Sequence, residues 1–235
     1  METQTPYITK NPEESDSSKG YLNTRVLSQR PLIRAYLGDC MDWMQATDDK
    51  EYDLAIVDPP YGINFAKTNT GKGWITRKNK DWDKEPMHFE YFAELRRVSK
   101  NQIIWGANYY PEHLQPSMGW IFWDKGQRNF SLADGEFAFS SFKRALRVYK
   151  YSRAKLNSDR EGIHPTEKPV ALYRWILQNY AKAGQRILDT HGGSFSSAVA
   201  CHVEGYEMDI CEIDEEYFEA GVKRFGEATC QLKMF

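Results

Sequence analysis

From Pro31 onward the chain alternates short apolar runs with amphipathic stretches. LIRAYL (32–37), LAIV (54–57), QIIWG (102–106), GWIFWD (119–124), RILD (186–189) and EMDICEID (207–214) are bounded by turn residues and predict strands. Between them lie stretches with helical spacing. MDWMQ (41–45) predicts a short helix, and HFEYFAELRRVSK (88–100) a longer one with Phe89, Phe92, Leu95 and Val98 on its buried face. VALYRWILQNYAK follows Pro169 at the favoured first helical position. SSAVACHVEG closes on Gly205, and DEEYFEAGVKRFGEA opens on Asp214 as a plausible N-cap. Strands alternating with helices predict an α/β fold with a doubly wound, mostly parallel sheet. Residues 66–86 are rich in Lys, Asn, Thr and Gly and predict a long loop, while Phe130–Arg160 has no period that assigns it. Residues 1–20 are polar with little to bury, and a mobile N-terminal arm is expected there.

A length of 235 residues and an apolar fraction of 41% suffice for a sizeable core in one domain, expected over 21–235. The net charge of −2 creates no global field toward nucleic acid or membrane, but the distribution is uneven. Residues 143–160 carry seven Lys/Arg against one acid, and residues 204–219 carry eight acids and no base. Cys40, Cys201, Cys211 and Cys230 show no C-x-x-C spacing, which argues against a metal site or disulfide framework and for a reducing compartment. With no apolar run of membrane-span length and no signal-peptide pattern, a cytoplasmic protein without membrane contact is expected.

Two places carry chemistry. LAIV ends in Asp58-Pro59-Pro60-Tyr61, where the prolines forbid further ladder pairing. A turn alone needs no such set of carboxylate, stiff carbonyls and aromatic ring. The second is RILD-THGG followed by a helix and a strand ending in Glu212. A strand-end acid, a glycine turn and a second acid 23 residues after Asp189 follow the logic of a nucleoside site, with Glu212 on a ribose diol. No G-x-x-x-x-G-K-[ST] is present, which excludes a phosphate-cradling loop of the triphosphate-binding kind.

With Asp58-Pro59-Pro60-Tyr61 in place, the run His164-Pro-Thr-Glu-Lys-Pro-Val-Ala-Leu172 and the Glu212-Ile-Asp214 strand end complete a resemblance to the amino-methyltransferases of DNA over most of residues 31–228. The catalytic half precedes the cofactor half, which resembles the permuted beta group of that family. The resemblance implies S-adenosylmethionine as cofactor, duplex DNA as partner and a flipped adenine as substrate, since DPPY is more usual for adenine and SPPY for cytosine. It implies a catalytic half over about 31–125, a recognition segment over about 126–163 and a cofactor half over about 164–235. Asp58, Pro59, Pro60 and Tyr61 would be catalytic, with Asp58 and the Pro59 carbonyl accepting the amine's N–H groups and Tyr61 stacking on the base. The cofactor pocket would draw on Asp39, Cys40, Asp58, His164, Thr166, Lys168, Asp189, His191, Gly192, Gly193, Ser194, Glu212 and Ile213. In it Asp39 would face the adenine, and Thr166 and Lys168 the carboxylate. Phosphate contacts are expected from Lys72, Arg77, Lys78, Lys80, Lys143, Arg144, Arg147 and Arg153. A homodimer and a cognate restriction nuclease remain open as partners. The short stretches 66–86 and 126–160 imply a short recognition site.

Other readings stand beside this one. Glu212 and Asp214 fit a solvated acidic edge, Lys168 a loop brace, and His164, His191 and His202 packed positions. Trp82, Trp105, Trp120 and Trp123 fit the core. The same site could act on cytosine-N4 or RNA. A catalytically silent DNA-binding relative is the reading favoured by Phe195, which replaces the glycine that lets backbone and cofactor approach closely.

Overall fold

The computed structural model describes residues 23–63, 85–128, 133–159 and 167–232. In chain order it holds β1 (Thr24–Gln29), β2 (Leu32–Leu37), α1 (Cys40–Gln45), β3 (Tyr52–Val57), α2 (Phe89–Val98) and β4 (Ser99–Trp105). There follow two 3-10 turns (Ala107–Tyr109 and Pro111–His113), β5 (Trp120–Asp124), β6 (Gly135–Ser140), β7 (Arg147–Lys150) and α3 (Arg153–Asp159). The last elements are α4 (Val170–Tyr180), β8 (Arg186–Asp189), α5 (Ser196–Glu204), β9 (Glu207–Glu212) and α6 (Glu215–Leu232). The strands form one sheet in the order β1-β2-β9-β8-β3-β4-β6-β5-β7.

β2, β9, β8, β3 and β4 are mutually parallel, which is the expected doubly wound core. Period-two alternation divides β3 between the two faces of the sheet. Leu54 and Ile56 join the core under α4, α5 and α6, and Ala55 and Val57 join the one under α1 and α2. The unassigned region supplies β6, which inserts antiparallel between β4 and β5, and the edge strand β7. Trp105 and Trp123 are core residues, their rings 6.4 Å apart edge-to-face.

Two sequence expectations change. Phe89 is 59% exposed rather than buried, and Tyr91 takes its place beside Phe92, Leu95 and Val98. A strict three-residue spacing drifts about 60° per step around a 3.6-residue helix, so the first member of a four-residue series leaves the buried stripe. The helix also stops at Val98, and Ser99–Lys100 already belong to β4.

The second change concerns Phe195. It keeps the left-handed backbone that a glycine would adopt there, with φ 58° and ψ 23°, as N-cap of α5. Its ring is fully buried and points into the core, edge-to-face with Phe218 at 5.9 Å. Glycines make the room: a Cβ at Gly221 of α6 would overlap that ring, and one at Gly192 would come within 2.7 Å of it. Gly192 therefore accommodates the phenylalanine, and the positive φ in the glycine pair belongs to Gly193. The obstruction expected of Phe195 at the turn's outer side is absent, because the side chain lies in the core.

Two glycines of α6 separate packing from propensity. Gly226 has nothing within 4 Å of an added Cβ, so Gly226→Ala is expected to raise stability by up to about 1 kcal/mol. Gly221→Ala should instead lower it by about 1–3 kcal/mol through overpacking against Phe195. Urea denaturation of both variants checks the opposite signs.

Candidate active site at the strand carboxyl ends

β3 and β8 are parallel neighbours, paired through Leu54 with Ile187 and Ala55 with Leu188. From β3 the chain continues to β4 on one side, and from β8 to β9 on the other. The carboxyl ends of β3 and β8 thus flank the sheet's switch point, where a crevice forms in open α/β sheets. Asp58 follows β3 and Asp189 ends β8, so the two sequence-predicted half-sites come together.

Asp58 is engaged on both oxygens. Oδ1 accepts the Tyr61 hydroxyl at 2.5 Å, and Oδ2 accepts from the Lys168 ammonium, whose side chain is 2% exposed. Lys168 also lies 3.3 Å from Glu136 Oε2, and Glu136 Oε1 pairs with Lys125 at 2.5 Å. The row Lys125–Glu136–Lys168–Asp58 alternates in sign. Flanked by two ammonium groups, Glu136 is held down to about 2 despite the opposing effect of burial. Burial lowers Lys168, but Asp58 and Glu136 outweigh it and the ammonium is raised above its ordinary value. The Lys168 ammonium also faces the Trp105 ring at 5.4 Å.

The prolines position acceptors. Tyr110, anchored in the core, donates its hydroxyl to the Pro59 carbonyl at 3.0 Å and also reaches that of Pro60. Tyr61 stacks on Tyr109 at 4.8 Å and 12°, so one face of its ring already carries an aromatic partner. Gly106 takes a left-handed φ of 65°, and a Cβ there would overlap the Tyr61 ring.

On the β8 side, Asp189 accepts from Ser197 Oγ at 2.6 Å and from the His191 amide at 3.0 Å. Burial raises it to about 7, against these two bonds. Burial likewise raises Glu212, whose oxygens accept from the amides of Gly193 (2.7 Å) and Asp214 (2.9 Å). Glu212 thereby holds the glycine turn and is no solvated edge. His191 bonds Thr190 through Nδ1 at 2.9 Å, Thr190 bonds Tyr91 at 2.6 Å, and burial depresses the imidazole to about 3. Ser194 is buried, and its carbonyl accepts from Arg224 at 2.8 Å. Asp39 caps α1 by accepting from the Met41 amide at 2.8 Å, Cys40 is buried behind it, and Ile213 is 63% exposed beside Glu212.

Lys168 therefore stands against Asp58 and is no mere loop brace. His164, Thr166, Lys72, Arg77, Lys78 and Lys80 lie outside the described residues. Lys143, Arg144 and Arg147 are exposed around the edge strand β7, four strands or about 19 Å from β3 at ordinary strand spacing. Arg144 also bonds the Asn179 carbonyl, and Arg153 is half-buried at the start of α3. Sequence reasoning missed Glu136, Lys125, Tyr109, Tyr110 and Arg224. For Glu136 a signal existed in the lone acid opening the alternating run EFAFS.

Comparison with known proteins agrees with this geometry. Residues 120–223 match the family described as DNA methylase. Type II methyltransferase M2.MboI of Moraxella bovis is 24% identical over 244 residues, covering 84% of this chain and 89% of the relative. DNA adenine methyltransferase YhdJ of Escherichia coli K12 is 22% identical, covering 82% of each. The crystal structure of an M1.HpyAVI–SAM complex superposes with a TM-score of 0.54 at 19% identity, over 82% of this chain and 98% of that one. PvuII DNA methyltransferase, cytosine-N4-specific, gives 0.54 at 12% identity over 85% and 92%. At these identities the structural likeness establishes the fold alone, a Rossmann-like α/β sheet.

Gly106→Ala is expected to push Tyr61 off Asp58 and to destabilise the protein by about 1–3 kcal/mol, readable by thermal melting. Titration separates the two groups at the second turn. Asp189 rises from 3.8 to about 7 on folding, so its contribution is full below about pH 4 and is lost as pH rises through 7. His191 falls from 6.5 to about 3, so its contribution is full above about 6.5 and is lost as pH falls toward 3. Relative to the wild type, Asp189→Asn should gain stability as pH rises from 4 to 7, and His191→Gln should gain it as pH falls. Each slope is at most about 1.4 kcal/mol per pH unit in urea denaturation.

Proposed function

We propose that this chain is a DNA amino-methyltransferase and that it moves a methyl group from S-adenosylmethionine to the exocyclic amine of an adenine flipped out of duplex DNA. The observation that carries this reading is the placement of Asp58 and the Pro59 carbonyl beside the Asp189–Gly193 turn, at the switch point of the sheet. The adenine assignment is supported by Asp58, where a serine would suit cytosine, and by relatives such as DNA adenine methyltransferase YhdJ.

The residues present fit the cofactor. Asp189 and Glu212 are buried carboxylates that burial drives toward the neutral form, and a cationic ligand beside them would favour their charged form. Bound S-adenosylmethionine supplies an electrophilic sulfonium methyl. Asp189, Gly193 and Glu212 would hold its methionine and ribose ends, and Asp39, Cys40 and Ile213 line the neighbouring strand ends.

The chain's own contribution lies at the amine. An adenine amine is a weak nucleophile because its lone pair is shared with the ring. Asp58 and the Pro59 carbonyl would each accept one N–H, pulling the nitrogen toward tetrahedral shape and freeing that pair. The Pro59 carbonyl keeps acceptor capacity for this, since a carbonyl offers two lone-pair sites and Tyr110 uses one. Fixed proline backbone and the Tyr110 hydroxyl hold the Pro59 carbonyl in place, which is catalysis by positioning and electrostatics. Stacking on Tyr61 or Tyr109, worth about 1–3 kcal/mol per base, would offset part of the unstacking cost. The exposed Lys143, Arg144 and Arg147, with Arg153 and the four basic residues between 72 and 80, would supply phosphate contacts.

Incubation with labelled S-adenosylmethionine and mixed-sequence duplex DNA, followed by nucleoside analysis, tests the proposal. N6-methyladenine is expected, and Asp58→Ala should lower kcat by on the order of 10²–10³-fold. Label found only in N4-methylcytosine would overturn the adenine assignment. No transfer to DNA would overturn the activity.

A further inference from the structure

Lys168 raises a problem for the reaction proposed above. As the amine nitrogen bonds the methyl carbon and the carbon–sulfur bond breaks, sulfur leaves as a neutral thioether and positive charge develops on nitrogen. The surplus amine proton then passes to Asp58 and on to solvent, leaving a neutral methylated amine. Throughout, the useful property of Asp58 is its negative charge. An ammonium seated on Oδ2 cancels much of that charge and occupies room the amine needs.

A second carboxylate lies within reach of the same ammonium. Glu136 stands 3.3 Å from Lys168 Nζ, on β6, two residues before the Ala138 that pairs with Trp105 at the end of β4. That register carries Glu136 two residues past the carboxyl end of β4, at the same end of the sheet where Asp58 follows β3. Lys125 fixes the other Glu136 oxygen at 2.5 Å, so the acid is held in position before any substrate arrives. A buried ammonium cannot leave one anion without another to receive it. Among the described residues, Glu136 and Asp58 are the carboxylates paired with Lys168.

We propose that Glu136 is a positioning residue for methyl transfer: it receives the Lys168 ammonium as the amine displaces it from Asp58. Lys168 then acts as a movable counter-ion. It neutralises Asp58 in the resting protein and, drawn onto Glu136, leaves the carboxylate free to accept the amine. Lys125 keeps Glu136 from following Lys168 toward Asp58. This rests on the amino-methyltransferase reading above and adds to it a residue outside the sequence motifs.

The test measures single-turnover methyl transfer to duplex DNA at saturating cofactor, together with cofactor and DNA binding and thermal melting. Variants are Glu136→Gln, Glu136→Asp, Lys168→Met and the double variant Glu136→Gln/Lys168→Met. Glu136→Gln leaves Asp58 as the remaining anion for Lys168, so the transfer rate should fall by roughly ten- to a hundredfold with cofactor affinity unchanged. Glu136→Asp should recover part of the rate. In the Lys168→Met background, Glu136→Gln should have little further effect, because no ammonium remains to be received. A Glu136→Gln rate equal to wild type overturns the inference. So does an equal loss with and without Lys168, which is the mark of a purely structural role, and Glu136→Asp gives the same comparison should the glutamine variant melt early. Wild-type protein that transfers no methyl group overturns the parent reading instead, so the two failures are distinguishable.

Discussion

Parallel pairing of β3 with β8 brings Asp58 and Asp189 to adjacent strand ends, and much of the polar structure follows from keeping two acids in one crevice. Each is stabilised differently. Asp58 has a buried ammonium and a tyrosine hydroxyl. Asp189 has a serine hydroxyl and one backbone amide, and its proton is held up to about 7. Glu212, on the next strand, uses the amides of the turn it supports. Asp58 is compensated by an ammonium, whereas Asp189 has hydrogen bonds alone, and there burial prevails over them.

The glycine turn shows how a local departure can be absorbed. A non-glycine residue in the left-handed region costs about 1 kcal/mol or more and persists only where the surroundings fix it. Phe195 is fixed by a cavity that Gly192, Gly221 and Phe218 form around its ring. The backbone path of the turn is therefore kept while the bulk is directed inward. Residue identity at one position says little here without the residues that face it from α6.

That limit marks what was legible in the sequence. The five parallel strands and their helices were readable because each buries a face with a clean period of 2 or about 3.6. β1, β6 and β7 were not: β1 and β7 are edge strands with exposed, charged positions, and β6 is a six-residue strand opening on glycine and an acid. At the site, Asp58, Pro59, Tyr61, Asp189, Gly193 and Glu212 were legible because strand ends and turns declare themselves locally. Tyr110 and Glu136 act from 51 and 78 residues beyond Pro59 and Asp58, through strand order that no local pattern contains. Lys168 was legible by its motif, but its pairing with Asp58 was not, since that depends on which way a loop side chain turns.

The side chains of that motif explain the arrangement. Glu167 and Lys168 are adjacent and both buried, yet they serve opposite halves of the molecule. Glu167 pairs with Arg224 of α6 at 2.9 Å, and the same guanidinium holds the Ser194 carbonyl and the Ser196 hydroxyl at the start of α5. Lys168 pairs with Asp58, which follows β3, and with Glu136. Two consecutive residues thus tie the glycine turn after β8 to the acid after β3 through compensated buried charges. Buried pairs of this kind add little net stability, because desolvation offsets most of their attraction. What they supply is placement: shifting either residue leaves a charge unpaired in the core, so the loop before α4 has one low-energy position relative to both strand ends. A segment that precedes α4 and β8 in sequence can in this way reach the acid after β3 in space.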